Sequence, residues 1–284
     1  MKLNDRALLV QLNISHWTAN KLDKEISNET TAMKGAITGA IRTHKSLLPM
    51  CDLLDNIKQK ATLIRTKFYA NTLPWGVKGI QILPSANYLA FMTEFRKDKA
   101  EYENLVAQFV PAYPQLVADA QAYLGSSYKQ DDYPDVDSIA DKFKMDMNIM
   151  PVPNDDFRVN IADDELSRIQ EEVEARVKQA AQSAMQDVWQ RLYDKVKHLA
   201  DKLDDPRSIF RDSTVNHLSE LCELLPRLNF ADDPNLEALR QEVEQKLVGH
   251  HPDALRNDPD LRRDKAQEAK DIMAKMGAFM GGLN

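Results

Sequence analysis

Glycine is scarce in this chain of 284 residues, with only 9, and cysteine occurs just twice. So few glycines exclude folds that need many tight turns, such as propellers, β-sandwiches and dinucleotide-binding Rossmann domains. Cys51 and Cys222 lie far apart in apolar helical surroundings. They predict buried free thiols rather than a disulfide framework, which suits a reducing cytoplasm. No window approaches the roughly 18 apolar residues that span a bilayer, and the apolar run near the start is too short for a signal peptide, so no membrane partner is expected. A P-loop, a G-x-G-x-x-G after a strand and a G-x-S-x-G are all missing. On these grounds no catalytic residue and no cofactor is predicted.

Charge is present in quantity and unevenly placed. Residues 1 to 110 hold 15 Lys+Arg against 10 Asp+Glu, and residues 111 to 284 hold 22 against 34, for a net of -7. Either the two halves attract each other or the basic half meets an acidic partner.

Periodicity gives the elements. Leu8, Val10, Leu12 and Ile14 alternate with polar neighbours, which predicts a strand over 7 to 14 with Leu8, Val10 and Leu12 buried. Ser15 offers an N-cap, and a helix is expected from Trp17 to Asn28, with Trp17 docking it on the sheet. That turn has no glycine, so no backbone can approach a phosphate closely, and no ligand is expected there. Gly35-x-x-x-Gly39 marks a small-residue contact or a break. A helix is predicted over 46 to 69, a strand over 79 to 83 and a helix from Ser85, with Gly125 as a C-cap. Phe157, Val159 and Ile161 alternate as a third strand. From Leu166 to Leu203 apolar residues recur about every 3.7 positions, predicting a nearly straight helix of about forty residues. Helices follow at about 207 to 224 and 234 to 248. A polar stretch broken by prolines then leads to an apolar face at the end of the chain.

The expected architecture is mainly α: an elongated helical bundle with a long central helix and a small mixed β-sheet at one end. Three regions are expected. Residues 1–162 form an α+β part with basic balance, 163–248 the long helix and bundle, and 249–284 a flexible linker and Met-rich helix.

Several constellations are candidates for function. Lys58, Lys60, Arg65, Lys67 and Lys78, with Tyr69 and Trp75 nearby, have the composition of a single-stranded DNA surface. The alternative is a charged outer helix face plus a packed hairpin tryptophan. Ile272, Met273, Met276, Phe279 and Met280 form a face that is expected to dock on another chain and help set the oligomer; the alternative is a face folded back on its own body. His250, His251 and Asp253 lack further metal ligands, and His16, His44, His198 and His217 have none at ligand spacing. The acidic run Asp131, Asp132, Asp135, Asp137 lacks the glycine and terminal glutamate of an EF-hand, and is expected to be a solvated turn capping a helix at Val136.

The opening "LNISHWTANKLDKE", followed in order by "TLPW", "ILP" with Tyr88, "YP" at Tyr133 and Pro134, and "PVPNDDF", resembles a family of phage and mobile-element proteins that carry a domain of unknown function. The resemblance covers roughly residues 7 to 205. It implies a bacteriophage, plasmid or integrative-element source and genes near a MoxR-type AAA+ ATPase and a von Willebrand A protein. It brings no catalytic residues. The functional expectation is a non-enzymatic interaction or scaffold protein in the bacterial host cytoplasm. It would form a homo-oligomer or serve an AAA+ partner. The alternative is a DNA-binding accessory in phage replication or recombination.

Overall fold

Strand β1 (Ala7–Ser15) forms where the alternation predicted it, after a short 3-10 turn at Leu3–Asp5. This computed structural model describes residues 3–154, 162–205, 212–249 and 252–281. Val10 is fully buried, but Leu8 and Leu12 are only half-buried while Ala7 and Leu9 join the core. The first half of the strand is covered on both faces, so simple alternation fails there.

The elements that follow are β2 (Asn20–Asp23), α1 (Lys24–Met33), β3 (Thr43–Ser46), α2 (Asp52–Asn71), β4 (Leu73–Pro74), β5 (Ile80–Pro84) and α3 (Ser85–Leu124). Then come β6 (Lys144–Pro151), α4 (Asp163–Asp204), α5 (Asp212–Leu228), α6 (Pro234–Val243), α7 (Pro252–Asn257) and α8 (Pro259–Gly281). The protein is mainly α with a small sheet, as expected. The sheet runs β4-β5-β1-β6, with Ala7 opposite Pro84 and Gln11 opposite Ile80 in an antiparallel pair. It is antiparallel rather than mixed. The expected strand at Phe157, Val159 and Ile161 lies outside the described residues, and the strand beside β1 is β6.

The helix expected from Trp17 is displaced. Residues 20 to 23 instead pair antiparallel with β3, Asn20 opposite Ser46 and Asp23 opposite Thr43. The helix begins only at Lys24, where the Asp23 carboxylate accepts the Ile26 N–H at 3.1 Å. A carboxylate one residue before a helix satisfies a free amide and favours the positive end of the helix dipole.

The chain divides into two compact units, each drawn from separated stretches rather than from the three consecutive regions expected. One holds Met1–Gln11, Phe68–Met92 and Asn148–Asn284; the other holds Leu12–Lys67 and Thr93–Met147. In the first, Trp189, Leu192, Val196 and Leu199 of α4 pack with Leu218 and Cys222 of α5, Leu239 of α6 and Ile272 of α8. Leu9, Leu73 and Ile82 of the sheet close this core. The apolar stripe of α4 is fully used from Ala184 onward, whereas Leu166, Ile169, Val173 and Val177 are half-buried. In the second unit, Leu54, Ile57, Ala61 and Ile64 on α2 and Tyr102, Phe109 and Tyr113 on α3 are buried. Cys51 and Cys222 are buried free thiols, as predicted.

The tail corrects the sequence reading most clearly. Residues 252 to 257 and 259 to 281 are helical, not linker, and Asp258 between them caps α8: its carboxylate accepts the amides of Asp260 and Leu261, both at 3.0 Å. Pro259 is then a first-turn proline, where its missing N–H costs nothing, rather than a break. Ile272 and Met276 are buried, Met273 and Met280 half-buried, and Phe279 stacks on Trp189 at 5.8 Å. The Arg262 guanidinium donates to the carbonyls of Leu203 (2.8 Å), Lys202 and Asp205 (both 2.7 Å), which fastens α8 to the exposed end of α4. The apolar face is thus folded back on its own unit. Ile272→Ala should therefore lower unfolding free energy by about 2–5 kcal/mol in a urea titration. Removing residues 262–284 should lower the midpoint further; an unshifted midpoint would contradict this account of the tail.

Candidate functional site

An open cleft of about 660 Å³ lies in the second unit, between the chain that leaves β1 and the loop joining α3 to β6. One wall is Ser15, His16, Trp17 and Thr18; the other runs from Asp131 to Lys142. No sequence window contains both walls, which are more than a hundred residues apart.

Three buried phenols fix these walls. Tyr102 donates to the Ser15 carbonyl at 2.7 Å, Tyr113 to the Pro134 carbonyl at 2.8 Å, and Tyr133 to the Leu47 carbonyl at 2.8 Å. Burial pushes each of these phenols up to about 12, so they stay protonated donors through the neutral range. Arg65 adds a bond to the Ile14 carbonyl at 2.8 Å. Trp17 stands edge-on to Tyr113, with ring centroids 5.6 Å apart, and to Tyr133 at 6.5 Å. Trp17 therefore anchors the cleft wall rather than docking a helix on the sheet. Ile139 is completely buried behind the second wall, and Ser138 closes a turn onto the Asp135 carbonyl through its amide and hydroxyl.

The lining carries four carboxylates, Asp131, Asp132, Asp135 and Asp141, against one cation, Lys142. Asp132 is held by Lys21 at 2.6 Å and Lys45 at 2.7 Å. Burial alone would raise its carboxyl, but the hydrogen bonds from the two lysines outweigh it and hold it below the ordinary value. Asp131, Asp135 and Asp141 are exposed and make no ion pair among the described residues. Burial, together with Arg65 and Lys58, lowers the His16 imidazole, and its Nδ1 is buried with no partner. The cleft is thus lined mainly by carboxylates, with Trp17 in one wall, Tyr133 in the other, and the His16 imidazole beside Trp17. No helix starts at Val136; a 3-10 turn forms at Ile139–Lys142 instead, so the acidic run is a cleft wall more than a helix cap.

The expectation of no ligand at the Asn13–Trp17 turn considered phosphate alone. An acidic cleft repels phosphate but attracts cations.

All the basic candidates but Lys78 have partners elsewhere. Lys60 donates to Asp98 at 2.7 Å and to Glu101, and Lys67 donates to Asp98 at 2.8 Å. Lys58 pairs with Asp55 at 3.2 Å. Trp75, only 6% exposed, is packed in the core of the other unit, where Lys78 also lies exposed. A buried indole cannot stack on a base, so Trp75 is the packed tryptophan of the alternative reading. Tyr69, on that unit too, remains exposed. His250 and His251 lie outside the described residues, and Asp253 pairs with Arg256. Among the described residues no three His, Cys, Asp or Glu side chains converge as a metal site, and no helix is long and apolar enough to cross a membrane.

Asp98 is the buried hub of the charge cluster. Burial works to raise its carboxyl, yet the hydrogen bonds from Lys60 and Lys67 prevail and hold it below 3.8. Burial likewise works against the Lys60 ammonium, but its bonds to Asp98 and Glu101 raise it above 10.5. The sign follows for each. The Asp98 contribution is full above pH 3.8 and lost as pH falls through its lowered value; the Lys60 contribution is full below pH 10.5 and lost as pH rises through its raised value. Asp98→Ala should cost about 2–3 kcal/mol at neutral pH. It should also flatten the acid limb of a stability–pH profile measured by urea unfolding. A profile parallel to wild type at all pH values would contradict this role.

Comparison of the chain with protein-family models, with curated proteins and with solved structures gives no match.

Proposed function

We propose that this chain is a non-enzymatic interaction protein, a scaffold of a phage or mobile element, whose cleft receives a lysine- or arginine-bearing segment of a protein partner. The observation that carries this reading is the set Asp131, Asp135 and Asp141, three carboxylates without cationic partners among the described residues, lining the same cleft as Trp17. A cation entering there gains carboxylate contacts and an aromatic face together. Each exposed ion pair contributes about 0.2–1 kcal/mol and a cation–π contact about 0.5–1 kcal/mol. A short basic peptide is therefore expected to bind at roughly millimolar strength, and a longer interface more tightly.

The helices support the scaffold role. In this reading the 42-residue α4, with α5, α6 and α8 packed along it, is the long central helix of a bundle suited to assembly. Partners fitting the resemblance are a MoxR-type AAA+ ATPase, a von Willebrand A protein or further copies of this chain, met in the bacterial host cytoplasm.

Tryptophan fluorescence tests the cleft directly. Trp75 and Trp189 are buried, which leaves Trp17 as the tryptophan that responds to a ligand in the cleft. An oligolysine peptide should change the emission at low salt, an oligoglutamate peptide should not, and Asp135→Asn with Asp141→Asn should abolish the response. The change should also fade as salt approaches 1 M, where the Debye length is about 3 Å. Equal responses to both peptides would refute the reading.

A further inference from the structure

The segment that joins α1 to β3 is the most exposed apolar feature of the second unit. Met33 and Ile37 are each 85% exposed. Gly35 and Gly39 have φ of +61° and +85° with open space where a side chain would stand, so the Gly-x-x-x-Gly spacing shapes a protruding turn rather than a helix contact. Lys34 and Arg42 are the only charged residues between Ala32 and Arg42, and no carboxylate falls in that span. The turn therefore offers two cations around two apolar side chains, which is the complement of the cleft.

The register of the β2–β3 ladder separates the two features. The protruding turn leaves from the end where Asp23 faces Thr43, and the cleft wall Ser15–Thr18 enters at the end where Asn20 faces Ser46. At about 3.4 Å per residue, four paired residues place roughly 10 Å between these ends. The turn does not occupy the cleft of its own chain, since Met33 and Ile37 remain in solvent.

We infer that the turn Met33 to Arg42 of one copy docks in the cleft of a second copy, with Lys34 and Arg42 meeting Asp131, Asp135 and Asp141 and Ile37 lying on Trp17. This rests on the reading of the cleft as a receptor for a basic segment. The two surfaces differ, so the contact is head to tail: every docked pair still carries one free turn and one free cleft. Such contacts continue into a ring or a filament instead of closing as a two-fold dimer. One turn in one cleft falls below the roughly 1,200 Å² of a stable interface, so association is weak per contact and depends on concentration and salt.

Sedimentation velocity on the full chain tests this at low and high salt. Wild type should form species larger than a dimer as concentration rises and return to monomer in high salt. A turn variant, Lys34→Glu with Ile37→Asp, and a cleft variant, Asp135→Asn with Asp141→Asn, should each be monomeric alone. All four positions are exposed, and thermal melts should match wild type. Mixed together, the variants keep one intact cleft and one intact turn between them. They should form a 1:1 pair that grows no further. A wild type that stays monomeric at every concentration, or forms only a dimer, would overturn the inference, as would variants that assemble like wild type. If that monomeric wild type still responds to oligolysine through Trp17, the cleft reading stands and only the self-docking falls; if it does not, both fall.

Discussion

The phenol hydroxyls of Tyr102, Tyr113 and Tyr133 hold the candidate site in shape. Each is buried and each donates to a backbone carbonyl of a segment distant in sequence: Ser15, Pro134 and Leu47. A buried carbonyl left without a donor costs about 1–3 kcal/mol, so the three bonds fix the end of β1 at Ser15, the chain just after β3 at Leu47 and the loop at Pro134. Trp17 packs against two of the same rings, so the aromatic cluster that stabilises the unit also presents the cleft's one apolar face. Stability and recognition here depend on the same side chains.

Charge is arranged in space quite differently from its order along the chain. The basic balance of residues 1 to 110 suggested a cationic surface, yet four of its lysines are drawn onto carboxylates within the unit: Lys60 and Lys67 on Asp98, Lys21 and Lys45 on Asp132. Among the described residues, what remains without an ion pair in the cleft is negative in balance: Asp131, Asp135 and Asp141 against Lys142. A segment's net charge counts every lysine alike, whereas a buried carboxylate such as Asp98 removes two of them from any role in attracting nucleic acid.

The parts of the fold legible in the sequence are those governed by one local rule. The β5 strand, the start of α3 at Ser85 and the apolar stripe of α4 all follow from periodicity. Proline carries a more ambiguous local signal. Asp233–Pro234 and Asp258–Pro259 are both a capping carboxylate followed by a first-turn proline, with Asp233 accepting the amides of Asn235 and Leu236. In the tail the second pair resembled a break because the surrounding residues are polar. The β2–β3 ladder has only four residues per strand and no alternation strong enough to outweigh a nearby helix signal. The cleft was legible only in fragments. Trp17 and the acidic run stood out separately, but nothing in the local sequence brings residues 15–18 and 131–142 together; that depends on the tyrosine bonds.

The central claim is that the cleft between residues 15–18 and 131–142 binds a cationic segment. Hydrogen–deuterium exchange of the full chain, with and without saturating oligolysine, tests it most directly. The account predicts slower exchange confined to the amides of these two segments, lost again in high salt. Protection that falls instead on α2 or α8, or no protection anywhere at saturation, would contradict it.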